Sequence, residues 1–328
     1  MGNIIEQPVN LSGSLSQDIR ASHVSMLSPG GLTLESRRKK WIDVLRMVSA
    51  FGIVWFHANA PGADIGYSGL SFFIMITMTF QIANTCNLKR NILRGADHIL
   101  LPWAFWMIFY GSERVLIGKP FFLADVPICV ALLDGTSTHL WYLPFIFFVS
   151  TSLRIVQRTP LKSAMVVISA TALVIALLTV NAWWPAAMTI GPPISRYAQA
   201  TPAVLFGILL GGAKRSRLFQ PLVFLAIIGF GISAATSTAN VGLGDGVAGI
   251  ALGCALLLDR TRAQSKFNTT EFAEWAYGIY LMHPFFMSLA KALFATERAA
   301  TAIVAYFGAW MATIALRKYG GAFGRAIT

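Results

Sequence analysis

Residues 41–60 read WIDVLRMVSAFGIVWFHANA, and this stretch decides the fold class. It is mainly apolar, and its ionisable residues are Asp43 and Arg46 near its start and His57 near its end. About 20 consecutive, mainly apolar residues form a helix long enough to cross the hydrocarbon core of a bilayer. The stretch therefore predicts a transmembrane helix that carries ionisable groups inside the membrane.

The composition of the whole chain also indicates a membrane protein. Of its 328 residues, 55% are hydrophobic and 12% are charged, whereas about 25% charged residues are usual in a soluble domain. Windows free of charge predict an all-α fold, a polytopic membrane helix bundle of about ten transmembrane helices. We expect a loop from Pro185 to Pro193, after the fifth helix. The predicted helices cover residues 41–60, 67–88, 98–113, 139–156, 163–183, 197–213, 218–237, 242–258, 272–289 and 299–316.

The basic residues predict the orientation of the bundle. The chain has 26 Lys and Arg against 14 Asp and Glu, and with ten spans most basic residues fall on one side. Because basic loops stay in the cytoplasm, both termini are predicted to be cytoplasmic. This topology accounts for the positive net charge without a nucleic-acid partner. We expect a disordered cytoplasmic tail over residues 1–38, a ten-span domain over 39–320 and a cytoplasmic C-terminal tail over 321–328.

Arg46 and His57 are the first candidates for a functional site, because ionisable groups inside a span usually face a cavity or a partner. They are eleven positions apart. At about 100° per residue this spacing is three turns plus about 20°, so both side chains share one helix face about 16 Å apart. Two other interpretations stay open: Arg46 as a snorkelling residue paired with Asp43, and His57 as a hydrogen-bonded core histidine.

Two further histidines lie in predicted helices. His139 opens the fourth helix and His283 lies in the ninth, and the predicted topology brings both towards His57 on the non-cytoplasmic side. Three histidines on separate helices, with no carboxylate nearby in sequence, make a weak pattern for a metal site. The three cysteines lie far apart without a CxxC spacing. We therefore expect neither a metal site nor a disulfide framework.

Three short motifs follow one another along the chain: Arg46-x10-His57, His139-Leu140-Trp141 and Tyr277-Gly278-Ile279-Tyr280-Leu281-x-His283. On ten predicted spans, this ordered set resembles membrane-bound acyltransferase family 3. That family includes O-acyltransferases of bacterial exopolysaccharide, lipopolysaccharide O-antigen, Nod factor and related glycans. The resemblance covers residues 38–320.

The chain departs from the family pattern at two places. His98 stands where an arginine is frequent in the family, and the second helix reads Ser71-Phe72-Phe73-Ile74-Met75 without the Ser-Gly that often follows the double phenylalanine. We expect the packing or pore lining of the second helix to differ accordingly.

The resemblance implies transfer of an acyl group, acetyl in the first place and succinyl as the alternative, from cytoplasmic acyl-CoA to a glycan hydroxyl. Acyl-CoA (acetyl-CoA first) is then a co-substrate, and no bound cofactor is expected. The expected partners are a polysaccharide or lipid-linked oligosaccharide acceptor, membrane lipid and the polysaccharide biosynthesis machinery. The expected location is the bacterial inner membrane, with several spans and both termini in the cytoplasm.

Four basic residues suit the phosphates of acyl-CoA, because cations make charge-assisted contacts with phosphate oxygens. The other interpretation of the cluster in the second cytoplasmic loop is the positive-inside rule alone. The four candidates for acyl-CoA binding are Arg46, Lys89, Arg90 and Arg94.

His57 is the preferred candidate for the general base, because a sugar hydroxyl needs a base that works near neutral pH. His139 and His283 are candidates to orient the acceptor, stabilise the oxyanion or relay a proton. Whether an acyl-histidine forms or transfer is direct stays open. Trp141 and Tyr142 are candidates to stack on the acceptor sugar, although aromatic residues near span ends are usually interfacial.

Two other functions use the same features of the sequence. A transporter or flippase of a lipid-linked glycan would also need cations and aromatic residues inside its bundle. A noncatalytic partner in a polysaccharide export complex is the third interpretation. From the residues alone, the prediction ends at a ten-span membrane protein with a functional cavity near Arg46 and His57.

Overall fold

The structure is a computed structural model that describes residues 40–83, 92–93, 95–123, 126–162, 164–237, 241–258, 269, 271–294 and 297–328. The regular structure in these residues is helical and contains no β-strand. The helices are α1 (Lys40–His57), α2 (Ala63–Gly66), α3 (Ser68–Ala83), α4 (Leu101–Leu116), α5 (Ile128–Asp134), α6 (Tyr142–Val156), α7 (Met165–Leu178), α8 (Val180–Ile190), α9 (Ile194–Arg215), α10 (Gln220–Thr236), α11 (Leu243–Leu258), α12 (Phe272–Phe294), α13 (Arg298–Tyr319) and α14 (Gly321–Ile327).

The all-α fold class is confirmed, and a helix occupies each of the ten predicted segments. By length and apolar composition, three helical stretches in the described part of the chain are able to cross a membrane: Ala63–Ile82, Arg217–Thr236 and Arg298–Tyr319. The pair α7 and α8 qualifies together as a fourth, broken span. Ten crossings therefore stay a prediction.

The region after the predicted fifth helix differs from expectation. The prediction of one helix up to residue 183 is wrong, because α7 ends at Leu178 and the axis of α8 is turned by 84° from it. The predicted loop is also helical as far as Ile190, although α8 contains Pro185. A proline removes the hydrogen bond to the carbonyl four residues earlier. That residue, Asn181, is exposed, so solvent or lipid headgroups can satisfy its carbonyl.

The last residues of the chain are packed against the bundle. Residues 321–327 form α14. The indole N–H of Trp106 donates to the carbonyl of Ile327 at 2.8 Å, and Arg317 donates to the carbonyl of Thr328 at 2.8 Å. The segment predicted only as a tail is thus a docked helix.

The inner helices approach one another at glycine. A Cβ atom built on Gly69 in α3 would lie 2.1 Å from the carbonyl oxygen of Ser49 in α1. A Cβ atom on Gly278 in α12 would lie 2.4 Å from Thr313 in α13. Small residues at such positions let helix backbones come into direct contact, as is typical of membrane bundles. The helix that carries the first motif, α1, packs against α3, α12 and α13.

The peripheral helices have the opposite character. In α10, Phe224 is 65% exposed, and Leu225 and Ile232 are also exposed. A helix that keeps large apolar side chains on its outer face suits contact with lipid acyl chains rather than water. The periphery of the bundle therefore matches a membrane environment, in agreement with the apolar composition.

Candidate active site: three histidines beside a cavity

The structure brings the three predicted histidines together from three separate elements. His57 is the last residue of α1, His139 lies in the turn before α6, and His283 lies inside α12. The ring centroids of His57 and His283 are 5.2 Å apart with planes at 28°, and those of His139 and His283 are 5.1 Å apart at 64°. His283 is therefore the centre of a packed imidazole cluster.

The hydrogen bond of His283 defines which of its nitrogens carries the proton. Its Nδ1 lies 2.8 Å from the carbonyl oxygen of Tyr280, and because a carbonyl only accepts, Nδ1 is the donor. In the neutral ring, Nε2 then keeps its lone pair. His283 is fully buried, and its Nε2 has no hydrogen-bond partner among the described residues.

His139 is held by its own turn and by α12. Its Nδ1 lies 3.1 Å from the hydroxyl oxygen of Ser137, and its backbone carbonyl accepts a hydrogen bond from the hydroxyl of Tyr280. Gly135 has a φ of +85°, a conformation that favours glycine. The side chain of His139 is 1% exposed, and within the described chain its Nε2 lacks a hydrogen-bond partner. The turn thus fixes the ring while leaving one nitrogen unused.

A cavity of about 410 Å³ opens beside the cluster. His57 and His139 are on its wall, whereas His283 is not among the lining residues and packs behind them. The cavity wall therefore presents two imidazoles next to polar and aromatic side chains and one arginine. The other lining residues are Ile53, Phe56, Asn59, Tyr67, Leu70, Thr138, Trp141, Arg196, Gln199 and Tyr280.

Arg196, near the start of α9, is the cationic residue of this wall. Its Nη1 donates to Oδ1 of Asp134, the last residue of α5, at 2.6 Å. The next residue, Tyr197, donates through its hydroxyl to the carbonyl of Leu133 at 3.3 Å. Partial burial raises the pKa of Asp134, and the Arg196 guanidinium opposes that rise. Both contacts fasten α9 to the segment that leads to His139.

Arg46 lies at the other end of α1, away from the cavity. Its Nη1 donates to Oδ1 of Asp43 at 2.9 Å, so the sequence-predicted pairing is present. Asp43 is 2% exposed and also accepts from the hydroxyl of Thr269 at 3.3 Å. The Arg46 side chain is 25% exposed. One helix therefore carries a partly exposed cation at its start and a cavity-lining histidine at its end.

The other sequence-predicted residues have different positions. Trp141 is on the cavity wall, but Tyr142 is not among the lining residues and packs against the ring of Tyr280 with centroids 5.5 Å apart. The remaining three acyl-CoA candidates lie outside the described residues; they are Lys89, Arg90 and Arg94.

Sequence reasoning did not single out Arg196, Gln199 or Tyr67 as site residues. For Arg196 a signal existed, since it is one of the few basic residues on the side predicted to be non-cytoplasmic and it opens an apolar helix. Gln199 and Tyr67 gave no such signal. Among the described residues, no group of three His, Cys, Asp or Glu side chains has the geometry of a metal site.

Comparison with known families identifies the family to which the chain belongs. The family model described as an acyltransferase domain, acyltransferase 3, matches residues 39–316 and thus most of the chain, including all three histidines of the cluster. Searches of curated proteins and of solved structures found no significant match.

Proposed function

We propose that this chain, which belongs to acyltransferase family 3 and is a membrane acyltransferase, transfers an acyl group, acetyl in the first place, from acyl-CoA to a hydroxyl group of a bacterial cell-surface or exopolysaccharide glycan. The observation that carries the proposal is the pair of histidines on the cavity wall, His57 and His139, with His283 packed against both. Imidazoles beside a cavity are suited to proton transfer from a bound hydroxyl.

His57 is the proposed general base. An imidazole nitrogen of His57 takes the proton of the sugar hydroxyl as the oxygen attacks the thioester carbonyl. The tetrahedral intermediate then collapses, its C–S bond breaks, and the imidazolium returns the proton to the leaving CoA thiolate. The thioester is already activated, so the protein supplies a base, positioning and donors for the developing oxyanion.

The other two histidines have supporting roles in this proposal. His139 shares the cavity wall with His57, and its unused Nε2 is available to orient the acceptor hydroxyl. His283 packs between the two rings, and its Nδ1 bond to Tyr280 fixes its orientation. It therefore acts as a positioning residue for the two imidazoles that line the cavity.

Arg46 is proposed to bind the phosphates of acyl-CoA together with the basic loop residues. Asp43 accepts from Nη1 of its guanidinium at 2.9 Å, and the Arg46 side chain is 25% exposed at the start of α1. Since α1 places Arg46 and His57 about 16 Å apart, the nucleotide end of the donor would bind near Arg46 while the acyl end reaches the cavity. This arrangement supports donor and acceptor meeting at His57.

Trp141 is proposed to contact the acceptor glycan. It is on the cavity wall close to His139, and the ring of an exposed sugar packs well on an aromatic face. Tyr142, which contacts Tyr280 instead, is proposed to support the wall from behind. The indole is thus the candidate platform that presents a sugar hydroxyl to the base.

The experiment is a transfer assay with the full chain in lipid nanodiscs. Radiolabelled acetyl-CoA and succinyl-CoA are each offered with a panel of bacterial glycans, and label in the glycan is measured. Transfer of label from acetyl-CoA to one acceptor of the panel supports the proposal. Transfer from succinyl-CoA but not from acetyl-CoA would show that the transferred group is succinyl. Movement of a lipid-linked glycan across vesicles without acylation would favour a flippase.

The proposed location is the bacterial inner membrane, with both termini in the cytoplasm. The distribution of basic residues along the chain supports this orientation. Reporter fusions after Lys40 and at Thr328 should both give a cytoplasmic signal. A periplasmic signal at either position would overturn the proposed topology without affecting the proposed chemistry.

A further inference from the structure

Arg196 differs in charge from everything else on the cavity wall. Among the described residues that line the cavity, it is the one side chain with a permanent charge, and none is acidic. The Arg196 side chain is 23% exposed. The proposed general-base chemistry does not use this cation.

The surroundings of Arg196 hold its guanidinium in place. Asp134 binds Nη1 at 2.6 Å and is itself 6% exposed, so it lies behind Arg196 rather than on the cavity wall. No second hydrogen bond of Arg196 is found within the described residues, although a guanidinium has five N–H donors. A guanidinium that is held in place beside a cavity and has unused N–H donors is suited to bind a second carboxylate in addition to Asp134.

We propose that Arg196 binds a carboxylate in the cavity and makes the enzyme selective for a reactant that carries one. The planar guanidinium matches a carboxylate with two parallel N–H···O bonds, and such charge-assisted pairs are the stronger hydrogen bonds. The wall has no acidic side chain to repel this group. This inference rests on the proposed acyl transfer and names a property of its substrates.

The carboxylate has two possible sources with the same chemistry. One is the far end of a dicarboxylic acyl group, as in succinyl-CoA. The other is an acidic sugar of the acceptor, such as a glucuronic acid residue. In either case the reactive carbonyl or hydroxyl is at His57 while the carboxylate is at Arg196, since both side chains line one cavity.

The test combines two donors with two acceptors. Wild type and Arg196→Gln, in nanodiscs, are assayed with acetyl-CoA or succinyl-CoA and with a neutral glucose oligosaccharide or one that contains glucuronic acid. Loss of one charge-assisted interaction should lower kcat/KM about 10- to 100-fold, and only where the bound group is charged. A loss confined to succinyl-CoA identifies the acyl donor as the source of the carboxylate. A loss confined to the acceptor with glucuronic acid identifies the glycan as that source.

Three variants separate recognition from structure. Arg196→Lys should recover part of the preference for the charged reactant, because lysine keeps the positive charge but lacks the planar guanidinium. Asp134→Asn weakens the ion pair but keeps the cation, so it should retain the preference. Arg317→Gln removes another ion pair, to Glu274 at 2.5 Å, and should act equally on all four combinations.

Equal loss in all four combinations for Arg196→Gln, shared by Asp134→Asn, would overturn the proposal and leave a structural ion pair. No loss in any combination would also overturn it.

Binding is measured separately, as the rise in Tm with succinyl-CoA compared with acetyl-CoA, and with glucuronate compared with glucose. Arg196→Gln should abolish the larger rise with the charged ligand, and an equal rise with charged and neutral ligands in wild type would overturn the proposal. An inactive wild type contradicts acyl transfer but leaves this binding test in force.

Discussion

The inner helices and the peripheral helices of this bundle are both apolar, yet they use their residues differently. The inner helices α1 and α12 carry His57 and His283, and the glycine at position 69 brings α3 against α1. The peripheral helix α10 has large exposed apolar side chains and at Gly231 no atom within 4 Å of an added Cβ. Hydrophobicity alone therefore places a helix in the membrane but does not say which helices build the site.

The difference lies in what each helix contacts. An inner helix must fit other helices, so small residues and satisfied polar groups are needed along its length. A peripheral helix must fit only lipid, and many apolar side chains serve equally well. Substitutions should accordingly be costly inside and nearly neutral outside.

His57→Ala should have the largest effect. Loss of a positioned general base lowers the rate by about 10²- to 10⁴-fold, while the protein should still accumulate in the membrane and bind acyl-CoA. The measurement is turnover in nanodiscs together with membrane yield and acyl-CoA binding. His98→Ala is the matched control, because His98 is exposed and does not line the cavity; it should retain turnover.

Retention of more than about a tenth of wild-type turnover by His57→Ala would contradict its role as general base. His139 would then inherit the role, since it is the other histidine on the cavity wall. An equal loss of turnover in His98→Ala would show that the loss is not specific to histidines that line the cavity.

Gly69→Ala and Gly231→Ala form a matched pair in an inner and a peripheral helix. At Gly69 the added Cβ would lie 2.1 Å from a backbone oxygen, so the helices must move apart. Overpacking of this kind costs about 1–3 kcal/mol. At Gly231 the Cβ meets open space, and the better helix propensity of alanine should stabilise by up to about 1 kcal/mol. Thermal unfolding in detergent measures both, and equal shifts would refute the packing difference.

Arg46→Ala should raise the KM for acyl-CoA about 10-fold, the loss expected for one charge-assisted contact. Arg46→Lys should rescue this only in part, because a point charge lacks the planar fork. Asp43→Asn, which removes the charge of the partner and leaves Arg46 in place, separates donor binding from the ion pair. Unchanged affinity for CoA in Arg46→Ala would reduce Arg46 to an anchor at the membrane interface.

Phe224→Leu should have the smallest effect. Phe224 is 65% exposed on α10, and substitutions at such surface positions usually change stability by less than about 0.5 kcal/mol. Phe206→Leu is its inner counterpart, since Phe206 is fully buried, and it should cost more. Similar melting temperatures for the two variants would contradict the assignment of α10 to the periphery.

The local features of the sequence predicted much of the fold and part of the site. The charge-free windows located the helices, and the eleven-residue spacing placed Arg46 and His57 on one helix. The pair of Arg196 with Asp134 joins residues 62 positions apart, and no periodicity within one helix reports such a contact. The turn at Thr179 was missed for a related reason, because the apolar composition runs unchanged through it. Contacts between helices and bends within apolar stretches depend on packing that the linear pattern does not contain.

The short seventh helix affects the thickness of the bilayer around the protein. With 14 residues before the 84° turn, α7 is about 21 Å long, whereas the hydrocarbon core of a bilayer is about 30 Å thick. If α7 crosses the membrane, lipid next to it must thin, because a short helix exposes fewer apolar residues than the core requires. The bilayer along α7 and α8 would then be locally thinned, and the two aqueous phases would lie closer together there than elsewhere.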